Sequence, residues 1–340
     1  MRFLLDDEQR DFARTLDTML AAADTPRAAR AWAAGDHAPG LALWSRLAEA
    51  GVFALAVPEA HEGLGPLPVE LAVAFTELGR HAVPGPLVET VAAAALLGRL
   101  AESGGRVDGD GGAGREAAAW LPRIAAGKAT VSLNVPELTG PYALDADTAD
   151  AVLVVADDTV RLAAATGPVQ PSADPVRRLA RPAAAGTVLA RGPRVAAARA
   201  YAVEVAALAT AAQSLGLGRA LLDRTVAYVR QRTQFGVPIG SFQAVKHRLA
   251  DTLIALEFAQ PLLYAAALAL AGRGTAPHEI AAAKVTAGEA AHAAARTALQ
   301  LHGAVGYTEE LDLSLWIRKA RPLRDAWGTP AACRARVLAP

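Results

Sequence analysis

Apolar residues recur three and four positions apart through most of the chain, the spacing that lines up one buried helix face. Over 5–20, Leu5, Phe12, Leu16, Met19 and Leu20 share one stripe, and Asp6, Asp7 and Glu8 put acid where a helix N-terminus favours it. The same period runs through Leu41–Ala50, Val69–Leu78 and Leu87–Leu100, with Pro58, Gly63, Gly65, Pro66, Pro84 and Pro86 as breaks. Residues 1–128 therefore read as a helical domain. Within it, 103–114 is a polar, glycine-rich stretch that reads as a linker, because it lacks the closing Gly-Lys-Ser/Thr of a phosphate loop. Over 129–195 the period shortens to short strand-like runs, Thr130–Leu133, Ala151–Ala156 and Thr159–Leu162, separated by turn residues. From 196 to 340 the helical period returns, in long segments near 199–231, 241–272 and 277–302. Helices, a small antiparallel β region, then helices give an α+β, mostly α, fold class.

Composition narrows the partners. Lys plus Arg and Asp plus Glu are 34 each, so no field favours nucleic acid or an anionic membrane surface. The most apolar stretch, Pro261–Gly272, reads as too short to span a bilayer. A single cysteine, Cys333, permits no internal disulfide and no thiolate cluster, which points to a reducing cytoplasm. The histidines have no metal-ligand spacing, so no metal is expected. Gly216-Leu-Gly218 lacks a third glycine and lies inside a helical pattern rather than after a strand, which argues against a dinucleotide fingerprint. The alanine-rich segment 281–299 suits close helix packing, either in the core or between subunits.

Two signatures carry the chemistry: Arg-Gln-Arg-Thr-Gln-Phe-Gly at 230–236 and Gln-Leu-His-Gly-Ala-Val-Gly-Tyr-Thr at 300–308. With the opening Leu5-Asp-Asp-Glu-Gln-Arg, Trp44-Ser-Arg-Leu-Ala-Glu-Ala-Gly, Ala56-Val-Pro-Glu, Phe75-Thr-Glu-Leu-Gly-Arg and Pro84-Gly-Pro-Leu, the chain resembles the acyl-CoA dehydrogenases over most of its length. The resemblance implies that family's fold: an N-terminal helical domain, a shortened antiparallel β domain and a C-terminal four-helix bundle. It also implies FAD. The family's pyrophosphate arginine falls on Arg232, a further cofactor contact on Gln243, and Phe235 lies near the adenine end, with Gln234 beside it. A guanidinium suits this role because it stays charged and donates to two phosphate oxygens at once. The family's Gln-x-x-Gly-Gly turn falls on Gln300, Gly303 and Ala304, the last departing from glycine, and Thr329 falls on the threonine of the family's Gly-Thr.

The catalytic base is what this likeness lacks. The family removes an α-proton from an acyl-CoA with a glutamate held at one of two positions, and here these are Trp327 and Ala206. Neither accepts a proton. The carboxylates nearest in sequence are Asp325 and Glu204, the latter expected on the solvent side of its helix. The loop that grips the flavin ring in the family also looks shortened after Asn134. The resemblance thus implies a subunit that completes the adenosine-diphosphate side of an FAD shared with a longer, base-bearing homologue in a heterotetramer, the acyl-CoA being held through that partner. A self-sufficient homo-oligomer with a relocated base, or a repurposed flavin-independent enzyme or scaffold or binding protein of the same fold, are the other readings. The implied substrate class is a steroid side-chain thioester.

Overall fold

The computed structural model describes residues 4–103 and 111–339. The chain opens with α1 (Asp7–Ala21), α2 (Thr25–Ala33), α3 (Ala38–Glu49), α4 (Pro68–Arg80), α5 (Leu87–Ser103) and α6 (Gly111–Ala125). A reciprocal cap starts α1: Gln9 N–H donates to Asp6 Oδ1 at 2.8 Å, and Asp6 N–H donates to Gln9 Oε1 at 3.2 Å. The α1 stripe buries Leu16 and Leu20 completely, with Phe12 and Met19 packed at the edge of the core. Helix α2 has only Trp32 as a large apolar anchor, too little for periodicity to show it. The glycine-rich linker expected over 103–114 is shorter than that, since Ser103 ends α5 and Gly111 starts α6; its remainder, 104–110, lies outside the described residues. Helix α6 reaches back into the glycines because its other end is anchored by fully buried Leu121 and Ile124.

The middle of the chain forms β1 (Val131–Asn134), a short α7 (Pro136–Thr139), β2 (Ala143–Leu144), β3 (Ala151–Ala156), β4 (Thr159–Ala163), β5 (Leu179–Ala180) and β6 (Gly186–Arg191). Its main sheet runs in the order β1-β3-β4-β6. One pair departs from the expected antiparallel plan: β1 and β3 are parallel, Val131 facing Ala151 through Asn134 facing Val154. The chain between them, through α7 and β2, is long enough to return and start β3 in the same direction.

The last section begins with α8 (Pro193–Gln231), turns through a small hairpin, β7 (Thr233–Gln234) and β8 (Val237–Pro238), and continues as α9 (Gln243–Arg273), α10 (Pro277–His302), α11 (Leu313–Asp325) and α12 (Pro330–Val337). Helices α8 to α11 form the four-helix bundle, with α10 packed on each of the other three. The alanines of α10 are intrachain core: Ala283, Ala287, Ala291 and Ala298 are fully buried. Glycine fixes where α4 crosses α8. A Cβ on Gly79 would lie 2.0 Å from Gln213 O, and one on Gly216 would lie 1.8 Å from Thr76 O. Gly216 therefore serves helix contact, in keeping with its position inside a helical pattern.

The apolar stretch read as too short to span a bilayer is part of a continuous 31-residue α9. Both α8 and α9 are long and apolar enough to cross a membrane by length and composition, though 72% of the most apolar window of α8 is buried in the protein, against 39% for α9. Much of α9 is therefore uncovered. Ile254, Phe258 and Leu262, one turn apart, are 51%, 69% and 38% exposed.

Candidate functional site

The two signatures meet at one end of the bundle. Tyr228, one turn before Arg232, stacks on His302, two residues after Gln300, with ring centroids 4.0 Å apart. The end of α8 and the end of α10 are thereby joined. Beyond α8 the chain makes a two-residue hairpin turn in which Phe235 and Gly236 both take left-handed backbone, at φ 54° and 79°. Glycine adopts this freely; a phenylalanine there costs roughly 1–2 kcal/mol, and Phe235 is 92% exposed at the tip. Two backbone bonds anchor the turn, Arg232 N–H donating to Tyr228 O at 2.9 Å and Ile239 N–H to Arg232 O at 2.8 Å. The other signature closes α10 at Gly303, φ 63°, and runs into a tight turn over Gly303–Tyr307.

Arg232, Gln234, Phe235, Gln243, Gln300, Gly303 and Ala304 are all exposed. The Arg232, Gln243 and Gln300 side chains make no hydrogen bond or ion pair among the described residues, and Gln234 donates only to the carbonyl of Thr233. Helix α9 starts beside them with no side-chain cap. A free guanidinium, primary amides and an uncapped helix N-terminus are a donor set suited to a pyrophosphate. Thr329 has a different local role: its Oγ1 accepts from Ala332 N–H at 3.3 Å and caps α12.

The first position at which a base was expected holds a buried tryptophan. Trp327 is buried, and its Nε1–H donates to Glu89 Oε1 at 3.1 Å. The segment carrying it is pinned by buried Lys284, whose ammonium donates to Leu323 O, Arg324 O and Gly328 O at 3.1, 2.9 and 3.4 Å. Burial pushes that ammonium down to about 8. Ala206, the second position at which a base was expected, is fully buried in α8. Glu204 corrects the expectation of a solvent-facing carboxylate. It is 4% exposed, and its oxygens accept from Thr275 Oγ1 and Ala276 N–H, each at 2.8 Å, capping the approach to α10. Periodicity could not show this, because the burying element arrives about 70 residues later. Asp325 is half-exposed, stands 4.0 Å from Arg324, and lines a cleft beside Trp327.

That cleft, about 260 Å³, is lined by Glu89, Arg177, Asp325 and Trp327 and walled by Leu133, Leu138, Leu144, Leu179 and Pro322. Sequence reasoning missed Glu89, since an acid in the first turn of a helix reads as an ordinary response to the helix dipole. Glu89 is buried and its Oε2 has no hydrogen-bond partner. Burial pushes its carboxyl up, against the pull of Arg177 and the Trp327 bond. Deeper in, a narrower space adds Asp145, Gln213 and Lys319.

Asp145 accepts from Trp32 Nε1–H at 2.9 Å and, fully buried, is pushed up to about 7. The folded chain then keeps a proton that the unfolded chain releases between pH ~4 and 7. This contribution is complete below pH ~4 and is lost as pH rises through 7. Asp145→Asn keeps an Oδ1 acceptor for Trp32 and tolerates the left-handed backbone, φ 50°. Its thermal midpoint is expected to exceed that of the parent at pH 8, by a stability difference of up to about 4 kcal/mol, and to converge with it near pH 4. A gap that stays constant across thermal melts at these pH values would contradict the assignment.

The loop after β1 closes on itself. Asn134 Nδ2 lies 2.7, 2.9 and 3.0 Å from Thr139 Oγ1, Gly140 O and Tyr142 O, so its donor capacity is spent within the loop. Folding also assembles Asp17, Glu77 and His81, whose ligand atoms lie within 4.8 Å of one another, a cluster that histidine spacing did not reveal. Arg80 Nε stands 3.3 Å from Glu77 Oε2 and already supplies a positive charge there.

Comparison with known proteins agrees across the chain. Residues 6–105 match the profile of the acyl-CoA dehydrogenase N-terminal domain and residues 190–339 that of the C-terminal domain. Acyl-CoA dehydrogenase IpdE2 of Mycobacterium tuberculosis is 35% identical over 320 residues, covering 92% of this chain and 91% of that one. The IpdE2 of Mycolicibacterium smegmatis is 31% identical over 95% of this chain and 96% of its own. Among solved structures, the ChsE4-ChsE5 complex of Mycobacterium tuberculosis superposes with a TM-score of 0.79 at 24% identity, covering 99% of this chain and 98% of that one. The Tcur3481-Tcur3483 steroid ACAD gives 0.80 at 24% identity, over 97% and 96%.

Proposed function

Because the chain belongs to the acyl-CoA dehydrogenase family, we propose that it is the non-catalytic subunit of a heteromeric FAD-dependent acyl-CoA dehydrogenase, completing the adenosine-diphosphate side of the cofactor site of a longer homologue. The observation that carries this reading is a division within one molecule. A buried tryptophan stands where the resemblance puts the base, while Arg232, Gln243 and Gln300 are each exposed with no side-chain partner among the described residues. FAD, when bound, supplies the acceptor for the hydride that leaves the acyl β-carbon. This chain's part is to bind and orient. Arg232 neutralises the pyrophosphate, Gln243 and Gln300 offer amide donors, and Phe235 covers the adenine end. The proton is taken by a carboxylate of the partner.

The uncovered α9 face supports the same reading, because large contiguous apolar patches on a folded chain mark interfaces. Two solved neighbours named as complexes of two chains or as a steroid ACAD favour a heteromer acting on a steroid side-chain thioester. The test is to purify this chain alone and after co-expression with its longer homologue, recording flavin absorbance and native mass. Yellow protein only from co-expression, with one FAD per pair of chains, is the expected result. A yellow homo-oligomer from this chain alone would sink the proposal.

A further inference from the structure

The cleft beside Trp327 contains two mismatched groups. Glu89, 5% exposed, leaves Oε2 without a partner, and Arg177 makes no side-chain hydrogen bond or ion pair among the described residues. Each lacks what a ligand carboxyl group would provide. A buried carboxylate oxygen without a donor is costly, and so is a half-buried guanidinium without an acceptor. A second carboxyl group placed between them satisfies both. One proton is shared between its oxygen and Glu89 Oε2, whichever side carries it, and its remaining oxygen accepts from Arg177. The rest of the wall is mostly apolar, with Leu133, Leu144, Leu179 and Pro322 against the ligand chain and Thr139, Tyr142 and Ser172 as its polar members; the Thr139 hydroxyl is already engaged by Asn134. The cleft opens past Leu138, 38% exposed, and half-exposed Asp325, whose negative charge at the mouth favours a ligand with a single carboxyl group over a diacid.

We propose that this cleft is a binding site for a free aliphatic monocarboxylic acid, its carboxyl between Glu89 and Arg177 and its chain among the leucines. This goes beyond the shared-flavin reading and does not rest on it, since the site lies wholly within one chain and involves none of Arg232, Gln243 or Gln300. The volume, about 260 Å³, holds on the order of ten heavy atoms at the packing density of protein interiors. Trp327 blocks the space where a family base would stand, and no thioester chemistry is asked of the site.

The experiment is calorimetric titration of the full-length chain, and of its complex with the longer homologue if one forms, with hexanoate and octanoate, using hexanamide and hexanol as controls. Both acids are expected to bind, and hexanamide and hexanol to bind at least tenfold more weakly. Arg177→Met, at a half-buried position, is expected to weaken hexanoate at least tenfold, the loss of a charge-assisted contact. Leu138→Trp, at the exposed mouth, is expected to block both acids without disturbing the fold. No heat from either acid, equal affinity in Arg177→Met, or tighter binding of hexanamide would each overturn the proposal. Flavin content is no part of the readout, so the two proposals fail separately.

Discussion

Replacing Phe258 by Asp is expected to abolish assembly with the longer partner while leaving the isolated chain folded. Phe258 is the most exposed large residue on the α9 ridge, at 69%, between Ile254 and Leu262. In the free chain the new carboxylate stays in water, and a substitution at so exposed a site changes stability little. In an interface the same carboxylate sits among apolar side chains with no counter-charge, which costs several kcal/mol. Truncating a central aromatic anchor adds to that loss, since such residues supply most of the binding energy of an interface. Together these predict a weakening of more than a hundredfold. Native mass of the co-expressed variant should be that of separate chains, with an unchanged melting curve for this one. A variant complex that persists at micromolar concentration would place the partner on another face.

The second large effect concerns Arg232→Met. In the assembled complex, FAD affinity is expected to fall between about tenfold and a hundredfold, the range for losing a charge-assisted, two-pronged contact of about 1.5–3 kcal/mol. Assembly should survive, because the turn carrying Arg232 is held by backbone bonds to Tyr228 and Ile239 that the substitution leaves in place. Arg232→Lys should fall between parent and Met, retaining charge but not the planar fork. Flavin released on dilution or dialysis measures all three. Equal retention by parent and Met variant would remove Arg232 from the cofactor site.

How much of this the sequence disclosed depended on the distance over which each feature is specified. The long helices were legible because a 3.6-residue stripe is local, and so were the two signatures, whose residues lie within a few positions of one another. Their meeting through Tyr228 and His302 was not, because that stack joins positions 74 apart in the chain. Glu204 looked like a surface acid until the stretch ending at Ala276 folded over it. Glu89 and Lys284 were unremarkable as single charges in helices; only the arrival of Trp327 and its flanking carbonyls gives them partners. The parallel pairing of β1 with β3 likewise depends on where the intervening chain returns, which no strand pattern contains.

The uncovered α9 ridge also has a consequence for how such a protein is made. A chain that leaves the ribosome with Ile254, Phe258 and Leu262 in water offers the kind of surface that chaperones hold, proteases sample and other unfinished chains adhere to. If the partner proposed above covers this ridge, the chain's lifetime in the cell is set by how soon the two meet, and matched, neighbouring synthesis of both becomes as much a requirement of its chemistry as any residue in its site.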